Sequence, residues 1–346
     1  MMSDKENQIL QHISEKPLQS SKQIYEGLPI KISYATVKRV LTKLLDLKLI
    51  IADGAGKATK YLISPSYGLL RPVDIDHYYS KEIDERIINE GFNFQLINEV
   101  LPGADLFTES ELEKLNQLQD KFVNNIAGIT KIEYEKEIER LAIDLSWKSS
   151  QIEGNTYSLL ETERLLKEKE TAAGKKKDEA IMLINHKDAI DFIVRNPDYI
   201  EPLTIAKIEE IHLMLIKELG VDRNIRNRRV GISGTNYKPL DNDFQIKENL
   251  MEMCSLINTK SNVFEKALLA LVLISYIQPF VDGNKRTARI ISNSLLINNN
   301  YCPISFRTVD SVEYKKAMLI FYEQNNISAF KEIFIDQFEF AVSTYF

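Results

Sequence analysis

The chain is expected to be mainly α-helical, with a short β-hairpin near its N-terminus and a second hairpin inside a larger helical body. Three observations predict this. Apolar residues recur at helical spacing through most of the 346 residues. Ser20 or Ser21, Ser33 and Ser158 stand where helix N-caps are needed, and Ser158-Leu-Leu-Glu161 has the capping-box pattern. Only two Gly-rich interruptions, at 53–56 and 230–239, have turn chemistry between strand-like flanks.

In chain order, Ile9, Leu10 and Ile13 give the apolar face of a first helix, and Ile24 and Tyr25 belong to a short second one. A third helix starts after Ser33 and buries Val37, Val40, Leu41, Leu44 and Leu45. Leu49-Ile50-Ile51, the turn Asp53-Gly-Ala-Gly56 and Lys60-Tyr-Leu-Ile63 complete a hairpin. Residues 1–65 therefore read as a winged helix-turn-helix. Tyr34 and Thr36 lie near the start of the third helix, Lys38, Arg39 and Lys43 on its open side, and Lys57 and Lys60 on the wing. Hydroxyls and cations at a helix N-terminus suit a major groove and its phosphates. A protein-contact module with merely solvated lysines is the alternative.

Residues 66–107 read as a linker with some helix over 81–101. A second domain spans 108–346, with helices expected over 109–126, 134–152, 158–169, 178–195, 204–219, 244–258, 263–277, 285–298, 311–325 and 327–345. The Lys175-Lys176-Lys177 run fits a solvated helix start. The stretch 230–239 reads as the one hairpin of this domain.

The helix over 263–277 is apolar nearly all round, so it belongs in the centre of the domain. The stretch directly after it carries the chemistry: Gln278-Pro-Phe-Val-Asp-Gly-Asn-Lys-Arg-Thr-Ala-Arg289. Pro279 ends the helix, Asp282-Gly283-Asn284 makes a tight turn, and a new helix begins near Lys285. A helix N-terminus favours an anion. Asp282 is a hard oxygen ligand suited to Mg²⁺. Arg286 and Arg289, three apart, can each grip phosphate oxygens. A plain helix-turn-helix corner with a solvated basic face is the alternative.

This stretch resembles the Fic/Doc family signature, His-Pro-Phe-x-Asp/Glu-Gly-Asn-Gly/Lys-Arg-x-x-Arg, at every defined position but the first. The resemblance implies an all-α Fic domain with a β-hairpin flap, and transfer of AMP from ATP to a hydroxyl of a target protein. It implies that Asp282 holds Mg²⁺, that Gly283, Asn284 and Lys285 cradle the α- and β-phosphates, and that Arg286 and Arg289 hold the terminal phosphates. Ser149-Ser-Gln-Ile-Glu153-Gly154-Asn155 is similar to the family's inhibitory helix motif, here near 140–154, whose glutamate pairs with the last signature arginine. The same residues also suit an ordinary helix C-terminus with Gly154 as its left-handed residue. A helix with Glu210-Ile-His212, then Arg226, Arg228 and Arg229, then Val230, Gly231, Ile232, Ser233, Gly234, Thr235 and Tyr237, is similar to the family's order for a flap that pairs with an extended target segment. His212 shares its face with Ile208, Ile211 and Leu215 and reads as a packed core residue. The family also forms dimers, so a homodimer is a further expectation.

Gln278 stands where the family has its general base. An amide orients a hydroxyl or a water but takes no proton at neutral pH. Three functions are compatible with this: an adenylyltransferase inhibited by Glu153 and weakened at Gln278, a silent nucleotide-binding regulator acting through the winged helix on DNA, and removal of AMP with Glu153 placing a water.

Composition narrows the setting. With 44% hydrophobic and 27% charged residues the chain is globular. A net charge of −6 argues against coating nucleic acid along the whole length. Residues 1–65, however, hold ten Lys and Arg against six Asp and Glu, so any polyanion contact belongs there. Cys254 and Cys302 stand apart from any C-x-x-C pair and read as reduced, buried thiols. The longest apolar run, 267–277, is about half of what spans a bilayer. The expectation is a cytoplasmic protein without membrane contact.

Overall fold

The computed structural model describes residues 2–346, the Lys57 side chain excepted. The N-terminal unit contains α1 (Asp4–Glu15), α2 (Ser21–Gly27), α3 (Tyr34–Asp46), β1 (Ile50–Asp53) and β2 (Lys60–Ile63). Ser3 with Glu6 and Ser20 with Gln23 form reciprocal capping boxes, and Ser33 caps α3 through the Thr36 N–H. Ile9, Ile13, Ile24, Val37 and Leu44 are fully enclosed between the three helices and the hairpin. β1 and β2 pair antiparallel with Ile50 opposite Ile63 and Asp53 opposite Lys60.

The body continues with the short α4 (Tyr67–Leu70) and α5 (Ile75–Tyr79), then α6 (Glu109–Ala127), α7 (Lys131–Ile152), α8 (Leu159–Glu168), α9 (Lys177–Arg195) and α10 (Ile205–Ile216). It ends with α11 (Asp243–Thr259), α12 (Val263–Ile277), α13 (Asn284–Asn298), α14 (Ser311–Gln324) and α15 (Ser328–Thr344). α12 is the axis. It lacks Gly and Pro, is rich in Leu and Ala, and is capped by Asn262 on the Glu265 N–H. Every residue from Phe264 to Ile277 is buried. α13 packs along it, and α7, α9 and α10 pack on α13. Full burial of each Leu or Ile there contributes roughly 1.5–3 kcal/mol, which fixes the ends of α12 and α13 as a rigid platform.

Two expectations are corrected. Residues 81–101 hold one 3₁₀ turn (Ile83–Glu85) and one π turn (Leu96–Val100) rather than a helix. Their backbone is satisfied by other elements: the Asn89 N–H donates to the Glu323 carbonyl and the Asn93 N–H to the Tyr276 hydroxyl. Residues 230–239 form no hairpin, and the wing is the one two-stranded sheet among the described residues. Gly234 turns at φ +90°, but its flanks are not paired as strands, and only Lys238 makes a bridge, to Gly91.

α4 joins the two units tightly. The Asn326 side-chain amide donates to the Gly68 and Arg71 carbonyls at 2.9 and 2.8 Å, and the Ile327 N–H donates to the Leu69 carbonyl at 2.8 Å. No described helix is long and apolar enough to cross a membrane.

Candidate active site

The end of α12 is shaped by Gln278, which takes the left-handed conformation (φ 52°, ψ 58°) as the helix C-cap. Arg226, buried, fixes the turn by donating through Nε to the Gln278 carbonyl at 2.6 Å, while its own N–H donates to the Pro279 carbonyl. Asn284 closes the loop from the other side: its Oδ1 accepts from the Phe280 N–H and its Nδ2 donates to the Phe280 carbonyl, both at 2.8 Å. His212 stacks on the Phe280 ring at 3.6 Å and its Nε2 donates to the Asp282 carbonyl at 2.9 Å. Burial lowers its pKa to about 4, so the ring is neutral and acts as scaffold. Gly283 sits at φ +82°, and a Cβ there would meet the His212 ring at 3.3 Å.

α13 begins after Gly283 with no side chain capping its first turn. Its open N–H groups face a cavity of about 620 Å³ lined by Gly283, Asn284, Lys285 and Arg286 on one side and Lys315 and Lys316 on the other. Ile232, Leu319, Met318 and Tyr322 supply its apolar part. Free N–H groups, a helix dipole and clustered cations are features that suit an anion of phosphate size.

Asp282 stands at the mouth with its side chain 60% exposed, and its Oδ2 accepts from Arg286 at 2.9 Å. Arg286 is buried and its Nε has no partner among the described residues. No three metal-ligating side chains gather anywhere in those residues. Asp282 is the carboxylate at this end that would offer Mg²⁺ a hard oxygen, beside a space open to further oxygen ligands.

Arg289 is fully enclosed and does not reach the cavity surface. Its Nε donates to Ser149 Oγ at 2.8 Å, and its Nη2 donates to the Ser149 carbonyl and to Glu153 Oε1, both at 3.0 Å. Glu153 Oε2 lies 3.6 Å from Lys285 Nζ. Glu153 is the C-cap of α7, and Gly154 beyond it takes φ +100°. Burial works to raise the Glu153 pKa, but Arg289 and Lys285 outweigh it and hold the carboxyl below its usual range. The structure thus places Ser149, Glu153, Lys285 and Arg289 in one cluster at the cavity wall.

Gln278 lines the same cavity with its amide fully engaged. Its Nε2 donates to the Ser275 carbonyl at 2.6 Å and its Oε1 accepts from Asn284 Nδ2 at 2.9 Å.

Of the loop residues singled out in the sequence, Gly231, Ile232, Ser233 and Gly234 line the cavity, whereas Val230 and Thr235 do not. Tyr237 is corrected from surface contact to core: it is buried and stacked on Tyr276 and Tyr322. Sequence reasoning missed Tyr79 and Arg86, which line the cavity from a distant segment. It also missed His186, which is buried with both ring nitrogens unpartnered among the described residues. Burial and the nearby Arg289 and Arg286 push its pKa well down.

On α3, Lys38 and Arg39 are exposed, and Lys38 lies 5.1 Å over the Tyr34 ring. Tyr34 Oη is hydrogen-bonded to Ser21 Oγ, and Thr36 is tied to Ser33. Lys43 is already paired with Glu6 at 2.6 Å, so it is less available to a phosphate than the sequence implies, whereas Lys60 is exposed on the wing opposite Asp53. The Lys57 side chain lies outside the described residues.

Residues 202–296 match the Fic/DOC family, and residues 2–72 match the penicillinase repressor family. The chain is 26% identical over 220 residues to the protein adenylyltransferase Fic of Nematostella vectensis, covering 62% of this chain and 51% of that protein. It is 27% identical over 243 residues to the protein adenylyltransferase Fic of Aedes aegypti, covering 67% and 47%. The chain therefore spans about half the length of these curated relatives. Among solved structures, Fic-1 from C. elegans superposes with a TM-score of 0.58 at 19% identity, covering 68% of this chain and 72% of that one. A Fic domain containing signaling protein from Bacteroides thetaiotaomicron superposes with a TM-score of 0.59 at 18% identity, covering 67% and 95%. These likenesses establish a Fic-type fold behind a repressor-like winged helix, and distant homology to Fic protein adenylyltransferases.

Proposed function

We propose that the chain is a Fic-type protein adenylyltransferase whose ATP site is held shut by Glu153 and whose chemistry is weakened at Gln278. The Glu153–Arg289 pair beside the open start of α13 carries this reading: a carboxylate sits where a terminal phosphate would otherwise take the guanidinium. In the productive arrangement, the first turn of α13 and Lys285 cradle the inner phosphates, and Arg286 and a freed Arg289 grip the outer ones. Asp282 would hold Mg²⁺, whose charge would offset that of the phosphates. A target hydroxyl then attacks the α-phosphorus, the new O–P bond forms, and pyrophosphate leaves with the old one. The hydroxyl proton needs an acceptor. Gln278 offers none, and its amide oxygen is already used by Asn284.

The Glu153 cluster has a pH signature. Its folded-state pKa is depressed, so its contribution to stability is present above the ordinary glutamate range and is lost as pH falls through the folded value. Urea unfolding of wild type and Glu153→Gln should show the largest difference near pH 7 and a narrowing one below pH ~4. A constant difference across that range would remove the pair as a stabilising element.

A second reading is favoured by one observation, the engaged amide of Gln278 on a chain with a repressor-like winged helix. In it the nucleotide is a signal and the output is DNA contact through α3. Lys38→Ala with Arg39→Ala should then lower the salt slope of DNA binding by about two, because each phosphate contact contributes about 0.9 to it. Lys43→Ala should change it less, since Glu6 already neutralises that lysine. Equal slopes for wild type and the double variant would take α3 off the DNA.

A further inference from the structure

Residues 75–93 leave the winged-helix unit and cross the mouth of the cavity, where Tyr79 and Arg86 join its wall beside Gly231, Ile232, Ser233 and Gly234. This segment grips the loop 230–239 at alternate positions. Arg86 Nη1 donates to the Gly234 carbonyl at 3.2 Å. Asn236 Nδ2 donates to Asp84 Oδ1 at 2.8 Å. The Lys238 N–H donates to the Glu90 carbonyl at 2.8 Å, and Gly91 bridges Lys238 in parallel. Backbone pairing is made at Lys238 alone, and there the edge is filled by the chain itself; Gly234 is held at its turn through its carbonyl and Asn236 through its side chain.

Arg86 is the best-anchored member. Its side chain is 9% exposed and also donates to the buried Glu323 carboxylate at 3.3 Å. Its guanidinium lies 4.8 Å from the Tyr79 ring centre and 5.9 Å from that of Tyr78. Tyr78 donates its hydroxyl to the other Glu323 oxygen, and Tyr79 donates to the Lys316 carbonyl at 2.7 Å. A buried, doubly engaged cation on a loop carbonyl is a strong fixing point, while Asp84–Asn236 at the surface is a weak one.

We propose that residues 84–91 form a built-in strap on the loop, occupying the edge with which an extended segment of a partner protein would pair, and that Arg86 is its latch. This rests on the adenylyltransferase reading, in which that loop receives the target. The partner is an extended peptide that must displace the strap. Two separate contacts then guard one site: Glu153 against the nucleotide, and the strap against the protein. The strap follows α5 and α4 in the chain, which lead back to the winged helix.

Hydrogen exchange of the full chain, resolved to the Lys238 amide, tests this. Arg86→Ala should speed Lys238 exchange by about 10-fold or more, since a charge-assisted hydrogen bond anchors the pairing, with α12 amides at 268–273 unchanged. Losing Arg86 leaves Glu323 buried without its cation, so the fold itself can loosen. The surface variant Asp84→Ala with Asn236→Ala touches no buried charge and should speed Lys238 in the same direction. No acceleration in the surface variant, or acceleration spread equally over α12 in both, overturns the strap. A synthetic peptide of residues 82–93 added to Arg86→Ala should restore Lys238 protection, whereas a scrambled one should not. Failure of the native peptide at millimolar concentration overturns the edge as a docking site. Titration of Glu153→Gly with ATP and Mg²⁺ runs alongside. Absent ATP binding with an accelerated Lys238 removes the functional reading and keeps the strap as a structural clamp. ATP binding with an unaltered Lys238 does the reverse.

Discussion

Replacing Glu153 with Gly is expected to tighten binding of ATP with Mg²⁺ by about 10- to 100-fold in titration calorimetry. Glu153 makes one charge-assisted bond to Arg289 and lies near Lys285. Such a bond contributes roughly 1.5–3 kcal/mol, and each 1.4 kcal/mol is tenfold in affinity. The free protein should lose stability at the same time. Arg289 is enclosed, and removing its carboxylate leaves a buried cation held only by Ser149 and the Tyr314 ring. Breaking such a pair costs about 3–5 kcal/mol. Saturating ATP should return part of this, about 2.7 kcal/mol at a hundredfold excess over Kd. The two effects together separate competition from general damage, since a merely damaged site would bind ATP less well. Unchanged affinity would mean that Glu153 does not guard the anion site, and Arg289→Ala should erase the difference between the two backgrounds.

The second large effect concerns chemistry. Gln278→His in the Glu153→Gly background should raise transfer of labelled AMP to protein by about 10²–10⁴-fold, the usual contribution of a positioned general base. The backbone at 278 is already left-handed, a conformation in which histidine is enriched. The turn should therefore keep its shape, because Arg226 holds the backbone carbonyl rather than the side chain. The substitution removes one hydrogen bond to Asn284, which keeps its two to Phe280. ATP bound by both variants with no transfer by either would sink the enzyme reading and leave the nucleotide-sensing one. Transfer by the Gln278 protein at the histidine level would show that the proton has another acceptor.

Most of the helical body was legible because its signals are local. The apolar run of α12, the capping boxes at Ser158 and Ser20, and the Asp282-Gly283-Asn284 turn are each written within a few residues. The facing of Glu153 and Arg289 was legible only through a motif, since 136 residues separate them. What stayed hidden depends on long-range satisfaction of polar groups. Arg86 reads as one charge among many in a stretch of mixed polarity, and its meaning lies in Glu323 and Gly234, 237 and 148 residues away. The stretch 230–239 carries hairpin punctuation, yet its backbone pairs with the strap, at Lys238, and not across its own turn. Tyr237 looks like a tip residue by position, but the rings of Tyr276 and Tyr322 draw it inward.

Finally, the stitching of α4 to the start of α15 bears on how the chain tolerates being divided. A cut near residue 66 would seem to separate two folds cleanly, yet it would leave the C-terminal piece carrying a foreign end at the residues Asn326 clasps. A cut beyond residue 71 would strip the Asn326 amide and the Ile327 N–H of their acceptors, baring donors that the intact molecule keeps dry. Insertions and fusions are better tolerated outside this seam.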